Sequence, residues 1–416
     1  MRAVRLHLAL AILALTSCQR NPSLHWVATW ATAPVNIPTN FVPEGFLRPA
    51  FVNFHFTLKN ETARAVVHTT IGGDRVRVHI SNRFGTAPLV IGSAHAALRE
   101  SETAIRAGSD RTLTFSTKPS ATIPAGAELV SDAAALSVPA LADLAISIYF
   151  PNEAAVTTTH VLAVQTSYIA PGDKTDATSL DAAAKITSWP FLVGVEVTPA
   201  GAASAAVAFG DSITDGMNSQ PDANHRWPDL LAARLAAQHR QVSVLNAGIA
   251  ANRILHEGVD ALGLFAGMPG VARFDRDVLA HAGVSKVIVL LGINDIGMSG
   301  QPGEPEVPLV NLQEGLRQLA DRAHRKSLRI YGATLLPFEG TANGYYTPAK
   351  EQIRQGLNGW IRTSRVFDSV IDFDAAVRDP QHTGRILALY DSGDHLHPND
   401  AGYRAMGEAV DLKLFQ

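Results

Sequence analysis

Only one cysteine, Cys18, occurs in the 416 residues, so no disulfide can form within the chain and its core must be held by burial and hydrogen bonding. Neither sign of charge dominates, with 35 Lys and Arg against 38 Asp and Glu and a formal net charge of −3. No Lys/Arg block stands out, which argues against a nucleic-acid partner. Internal repeats and low-complexity tracts are also missing. Past the first eighteen residues, no apolar run approaches the ~20 residues that a membrane-spanning helix needs. His55, His68, His79, His95 and His160 are scattered without metal-ligand spacing, and neither a metal nor another cofactor is expected. What is present is ordinary for a soluble globular chain: 46% hydrophobic and 18% charged residues. The length suggests about two or three domains.

The chain opens with Arg2 and Arg5, then an apolar stretch from Leu6 to Leu15 broken only by His7. That stretch is too short to span a bilayer and reads as an export signal. It ends Leu15-Thr16-Ser17-Cys18, which resembles the lipobox of bacterial lipoproteins. The resemblance implies cleavage before Cys18, acylation of its thiol and attachment to a membrane through that lipid. Gln19 is similar to the residue that implies outer-membrane rather than inner-membrane retention in Gram-negative bacteria. The alternative is a plain secretion signal with an incidental cysteine.

Two rhythms follow. Residues 19–203 form a first domain, in which the pattern from about Trp26 to Val197 is that of strands. Arg75 to Ile80 alternates strictly, and Thr112 to Phe115 and Leu144 to Phe150 repeat the alternation. Turn signals such as Ile71-Gly72-Gly73-Asp74 and Pro124-Ala125-Gly126 separate them. Such spacing predicts a β-sandwich. The small-residue stretch Ala200 to Ser204 marks a boundary. Over residues 204–416 strands alternate with helices: strands at Ala205–Phe209, Val242–Leu245, Lys286–Leu291, Leu328–Thr334 and Val370–Phe373. Helices are expected from Trp227, around Leu309 to Ala323, from Lys350 to Thr363 and from Gly402 to Leu414. This alternation predicts a parallel sheet covered by helices, with its chemistry in the loops beyond the carboxyl ends of the strands.

Four polar segments fall in such loops. Gly210-Asp211-Ser212 follows the first strand of this half, Asn246 to Asn252 follows the second, Gly292-Ile293-Asn294-Asp295 follows the third, and Asp394-His395-Leu396-His397-Pro398 precedes the last helix. A serine hydroxyl attacks an ester only when a base takes its proton, a task imidazole suits near neutral pH. The imidazole needs an acceptor that fixes its tautomer, and the oxyanion needs donors aimed at its future position.

Together these segments resemble the SGNH/GDSL hydrolase family, from about Ala205 to the C-terminus. Each motif is common alone; four in the family's order are specific. The resemblance implies a flavodoxin-like three-layer α/β/α domain, an ester substrate and no cofactor. It also implies Ser212 as nucleophile, His397 as base and Asp394 as the orienting acid. The backbone N–H of Ser212, the N–H of the block-two residue and the Asn294 amide are then the oxyanion donors. The block-two position, glycine in the family, aligns with Ala251, whose donor survives the replacement if its φ is negative. The Gly-x-Ser-x-Gly elbow of the α/β-hydrolases is missing around Ser212.

Further residues invite a functional reading. Asn252 and Arg253 follow the oxyanion loop closely enough to touch substrate, and Trp227 lines the pocket or packs in the core. Asp372 and Asp374 form a metal pair or cap a helix, and Arg273 to Asp277 reads as a salt-bridged helix start. The preferred activity is removal of short acyl groups, O-acetyl groups on a polysaccharide above all. A lipase or lysophospholipase is the nearest alternative, its best lid candidate being Ala261 to Pro269. A glycan-binding lipoprotein with a spent hydrolase domain is a second alternative. A metal-dependent phosphoesterase lacks its Asp-x-His cluster near Ser212.

Overall fold

The computed structural model describes residues 24–37, 55–257 and 265–416. The export signal, Cys18 and Gln19 lie outside them, as do residues 261–264 of the lid candidate. Phe265 and Ala266, which follow, are buried.

The strand-rich half contains two larger antiparallel sheets. In one, Val27–Ala31, Leu192–Val197, Gly73–Ser81 and Glu128–Val130 lie in that order, with Ala134–Val138 also paired to Gly73–Ser81. In the other, Glu61–His68, Asp143–Phe150 and Ser93–Ser101 form the centre. Val76, Val78 and Ile80 are all buried, as the alternation predicted. The strand Asp143–Phe150 departs from the one-sided expectation. It is central in its sheet, and Ala145 and Ser147 on its second face are buried too. Of the expected strand Thr112–Phe115 only Arg111–Thr112 joins a sheet, although Leu113 and Phe115 still reach the core.

The second half is built on five parallel strands: β1 (Ser204–Gly210), β2 (Val242–Gly248), β3 (Val284–Leu290), β4 (Arg329–Ala333) and β5 (Ser369–Ile371). Their order across the sheet is β2-β1-β3-β4-β5. The chain therefore reverses direction of growth between β1 and β3, and doubly wound sheets bind ligands at such a switch point. The central strands are apolar throughout because helices leave neither face to water; Ala205 to Phe209 are fully buried.

The helices follow from capping and periodicity. The helix Trp227–Ala237 starts on Pro228, whose missing N–H costs nothing in the first turn. Leu309–Arg325 buries Leu312, Leu316, Leu319, Ala320 and Ala323 along one stripe; Leu312→Ala there costs about 2–5 kcal/mol. Thr347 caps Pro348–Thr363 by accepting the Lys350 N–H at 3.2 Å. Several expected boundaries change, and β2 runs on to Gly248, into the segment read as a loop. The last strand ends at Ile371, because Asp372 instead caps the short helix Phe373–Val377 through the Ala375 N–H. The terminal helix covers Asp400–Ala409 and gives way to a 3₁₀ turn at Leu412–Phe415, which Asp411 caps.

One apolar cluster runs through both halves. Along the seam, the Thr70 hydroxyl accepts the Val244 N–H at 3.2 Å and meets the Ser243 hydroxyl at 2.8 Å. The free edge of β2 is thus covered by the strand-rich half.

Candidate active site

In register, Gly210 of β1 lies between Gly248 of β2 and Leu290 of β3. Adjacent strands stand about 4.8 Å apart, so the loops leaving these three ends share one patch. Ser212 opens the four-residue helix Ser212–Asp215, capped by the Asp211 carboxylate on the Ile213 N–H at 3.0 Å. That helix ends at Gly216, whose φ of 103° is a left-handed conformation suited to glycine. The β2 loop lies directly against it: a side chain on Gly248 would meet the Asp215 nitrogen at 2.3 Å.

Ser212, His397 and Asp394 form one hydrogen-bonded chain. The Ser212 Oγ lies 2.8 Å from His397 Nε2, and His397 Nδ1 lies 2.6 Å from Asp394 Oδ2. Asp394 Oδ1 accepts the backbone N–H groups of Leu396 and His397. Partial burial works against ionisation of Asp394, but His397 and these N–H groups hold its carboxyl well below the usual range. The acid therefore stays an anion, and His397 Nδ1 is the donor in their bond. Ser212 and His397 are nearly buried, at 4% and 7% exposure, which protects their bond from competing water. His395 turns away onto Asp391 at 2.6 Å, so the three-residue spacing selects His397.

Two backbone N–H groups are available beside Ser212 Oγ's loop. Neither the Ser212 nor the Ala251 N–H has an acceptor among the described residues. Ala251 has φ of 59°, so the condition of a negative φ is not met. The alanine keeps the conformation a glycine would adopt, at a cost of roughly 1–2 kcal/mol. Asn294 Nδ2 gives one hydrogen to the Asn252 carbonyl at 3.0 Å and keeps its other. Its Oδ1 accepts the Tyr345 hydroxyl at 2.8 Å, which fixes which end of the amide faces the site. Burial, with the nearby Asp211 and Asp295 charges, pushes the Tyr345 hydroxyl well above its ordinary pKa, so it remains a donor.

Buried carboxylates brace these loops. Asp295 accepts the Ile254 and Leu255 N–H groups at 2.8 and 3.1 Å, tying the β2 loop to the helix Ile293–Met298 that carries Asn294. Burial pushes its carboxyl up to about 6 against those bonds. Asp211 is pushed up to about 7, by burial first and by the Asp295 charge.

Three expected substrate contacts are corrected. Trp227 is fully buried against Phe373, and is core. Asn252 is equally buried and spends its amide on the Ala266 and Met268 carbonyls while accepting from Arg273. Arg253 is turned inward onto Glu304 and the Glu257 carbonyl. Asn252 and Arg253 hold the loop's shape. Arg273, read as part of a helix start, lies in the short helix Gly270–Phe274 and continues into a π turn. Its guanidinium donates to the carbonyls of Gly210 and Ala247, clamping the ends of β1 and β2. Asp372 and Asp374 are bound by Arg362, and Asp374 also by Arg354, which accounts for both without a metal.

Sequence reasoning missed Tyr345, and also Asn218, whose Nδ2 donates to Asp394 Oδ2 and Ser392 Oγ at 2.9 Å each. Neither sits in a motif. The polar run after Gly216 was the only signal for Asn218.

Residues 208–405 match the GDSL-like Lipase/Acylhydrolase family. Comparison with curated proteins finds no match. Among solved structures, a lipolytic protein of the G-D-S-L family from Desulfitobacterium hafniense is 25% identical, with 50% of this chain and 97% of that one covered and a TM-score of 0.36. A carbohydrate acetylesterase family member from Sinorhizobium meliloti is 17% identical over 51% and 97%, with a TM-score of 0.40. An acetyl-xylooligosaccharide esterase from Geobacillus is 21% identical over 52% and 95%, at 0.39.

Proposed function

We infer, from a chain whose residues 208–405 belong to the GDSL-like lipase/acylhydrolase family, that Ser212, His397 and Asp394 are the working triad of a carboxylic ester hydrolase. The observation that carries this reading is the unbroken chain from Ser212 Oγ through His397 to Asp394. In acylation, Ser212 Oγ attacks the ester carbonyl as His397 Nε2 takes its proton. The carbonyl oxygen becomes an oxyanion facing the Ser212 and Ala251 N–H groups and the spare hydrogen of the Asn294 amide. Collapse breaks the bond to the alcohol, which leaves with the proton from His397. Water then repeats the sequence on the acyl-serine, releasing the acid and restoring Ser212.

The substrate in this reading is a short acyl ester on a carbohydrate, O-acetyl above all. Its support is the polar character of the loop that carries the acid, where Asn218 bridges Asp394 and Ser392 and His395 pairs with Asp391. Hydroxyl groups of a sugar find partners there; a long acyl chain does not. The domain reading takes 1–18 as a lipoprotein signal, 19–203 as a sandwich-type domain that contacts glycan, and 204–416 as the three-layer hydrolase domain. Cys18 then carries the lipid that holds the enzyme at the outer membrane, facing the periplasm.

The test is a panel of esters of increasing chain length run beside acetylated xylan. A buried methylene is worth about 0.8 kcal/mol to a pocket that accepts it, so a lipase shows kcat/KM rising with chain length. The expected result is the opposite, a fall beyond butyrate together with acetate release from the xylan. A steady rise to palmitate overturns the substrate assignment in favour of the lipase.

A further inference from the structure

Asp215 ends the nucleophile helix, and its carboxylate is spent on two partners from different parts of the chain. Its Oδ2 accepts the Ala250 N–H at 3.1 Å, holding the residue next to Ala251. Its Oδ1 lies 2.9 Å from Nε2 of His160, a residue of the strand-rich half. Asp215 therefore joins three things: the helix that presents Ser212, the loop that presents the Ala251 N–H, and the other half of the molecule. Each is within reach of the others because Gly248 lets the loop backbone lie against Asp215.

The surroundings of His160 dictate its state. Its Nδ1 lies 2.9 Å from the Ala33 carbonyl, and its Nε2 faces the Leu162 carbonyl at 3.3 Å besides Asp215. Every one of these partners is an acceptor, so both ring nitrogens must carry a proton. The ring lies over Trp189, with centroids 5.6 Å apart and planes at 29°. Its side chain is 3% exposed and that of Asp215 is 5%. Burial favours loss of the charge, but Asp215 outweighs it and raises the pKa. The other charged groups at this seam are His68, Arg226 and Asp229. Each has its own partner: His68 on Asp143, and Arg226 on Asp229 and the Ala163 carbonyl. Arg273 also feels the Asp215 charge, but its guanidinium is bonded to Asp277, so His160 is the cation that Asp215 holds directly.

We propose that His160 is a positioning residue for ester hydrolysis, through which the strand-rich half sets the geometry of the oxyanion loop by way of Asp215. The proposal rests on Ser212 and Ala251 acting as assigned above. Without His160, Asp215 is a buried carboxylate lacking its hydrogen-bonded cation, and it turns toward water or takes up a proton. Either change loosens its hold on the Ala250 N–H. The donor at Ala251 then sits off its mark when charge develops on the substrate, while ground-state binding, made elsewhere, is kept.

The experiment compares the full chain with His160→Ala, His160→Gln and Asp215→Asn, all below their melting temperatures. His160→Ala is expected to lower kcat by about 10–100-fold with KM within about twofold, since small misplacements of catalytic donors carry such losses. His160→Gln, which can still donate to Asp215, should recover part of the loss and serves if the alanine variant does not fold. Amide exchange at Ala250 should quicken in His160→Ala and in Asp215→Asn. The double variant should fall no further than the worse single one. Unchanged kcat in a folded His160 variant, a loss confined to KM, or unaltered Ala250 exchange overturns the proposal. Ser212→Ala is the control that separates the two readings. If it stays active, the esterase assignment has failed, whatever the exchange data report. If it is dead while the His160 variants are normal, only the present inference has failed.

Discussion

Both halves of the chain pair histidines with carboxylates, and among the described residues only one of these pairs leads to a hydroxyl. In the strand-rich half, His68 is bonded to Asp143, His95 to Asp110, and His79 to both Glu128 and Glu196. In the α/β half, His395 is bonded to Asp391 and His397 to Asp394. Among the described residues, His397 alone joins a carboxylate to a serine hydroxyl. An acid–imidazole pair by itself is a brace. It becomes a catalytic unit when its second nitrogen meets a nucleophile at the carboxyl end of a parallel sheet, where neighbouring loops bring oxyanion donors. The antiparallel strands have no switch point of this kind, so the same chemistry there serves packing.

The contrast can be broken most forcefully by exchanging histidines. His397→Ala should reduce turnover by up to about 10⁶, as loss of a triad member does, whereas His55→Ala and His95→Ala should leave it within about twofold. A comparable loss from either strand-rich variant would abolish the distinction between brace and base. Next in size is Asn294→Ala, expected to lower kcat by roughly 10²–10³. Tyr345→Phe, which only frees the amide to rotate, should cost about tenfold or less. Equal effects would mean that Tyr345 does more than orient Asn294.

The halves should also differ in where pH weakens them, read as melting temperature across pH. Asp211 has its folded pKa raised from 3.8 to about 7 by burial. The folded state holds that proton more tightly, so stability falls as pH rises through that window, and Asp211→Asn should flatten the fall while keeping the helix cap. Burial lowers the pKa of His79, but Glu128 and Glu196 override it and raise the value from 6.5 to about 9. Its contribution is complete below 6.5 and lost as pH climbs through 9, a higher window that His79→Gln should flatten. Crossed results, with each variant altering the other's window, would show the assignment of charges to be wrong. The smallest effect is at Ala251, where glycine relieves the positive φ. Ala251→Gly should add about 1 kcal/mol of stability with kcat changed less than threefold or so; a loss of stability would show that the alanine methyl packs usefully.

Much of the α/β half was legible because its signals are local. Five apolar strands, the Leu309–Ala323 stripe and four polar loops each lie within a few consecutive residues, and the sheet brings the loops together. The braces were not legible, because each joins residues far apart in the chain. Asn218 and Asp394 are 176 positions apart, Tyr345 and Asn294 are 51, and His160 and Asp215 are 55. Nothing in a polar side chain's immediate neighbours says which distant loop will face it. The inward turn of Asn252 and Arg253 was hidden for the same reason: Arg273, Glu304 and the 266–268 carbonyls that hold them come later in the chain. In the strand-rich half, alternation found the strand Gly73–Ser81, whose one face is buried. It also found Asp143–Phe150, but not the burial of that strand's second face, where Ala145 and Ser147 are small enough to be covered.

The most direct test of the triad is covalent capture by a fluorophosphonate, with the modified peptide identified by mass spectrometry. The adduct is expected on Ser212, absent in Ser212→Ala, strongly slowed in His397→Ala and indifferent to chelator. An adduct on any other residue, or labelling that persists in Ser212→Ala, would contradict the assignment of the nucleophile.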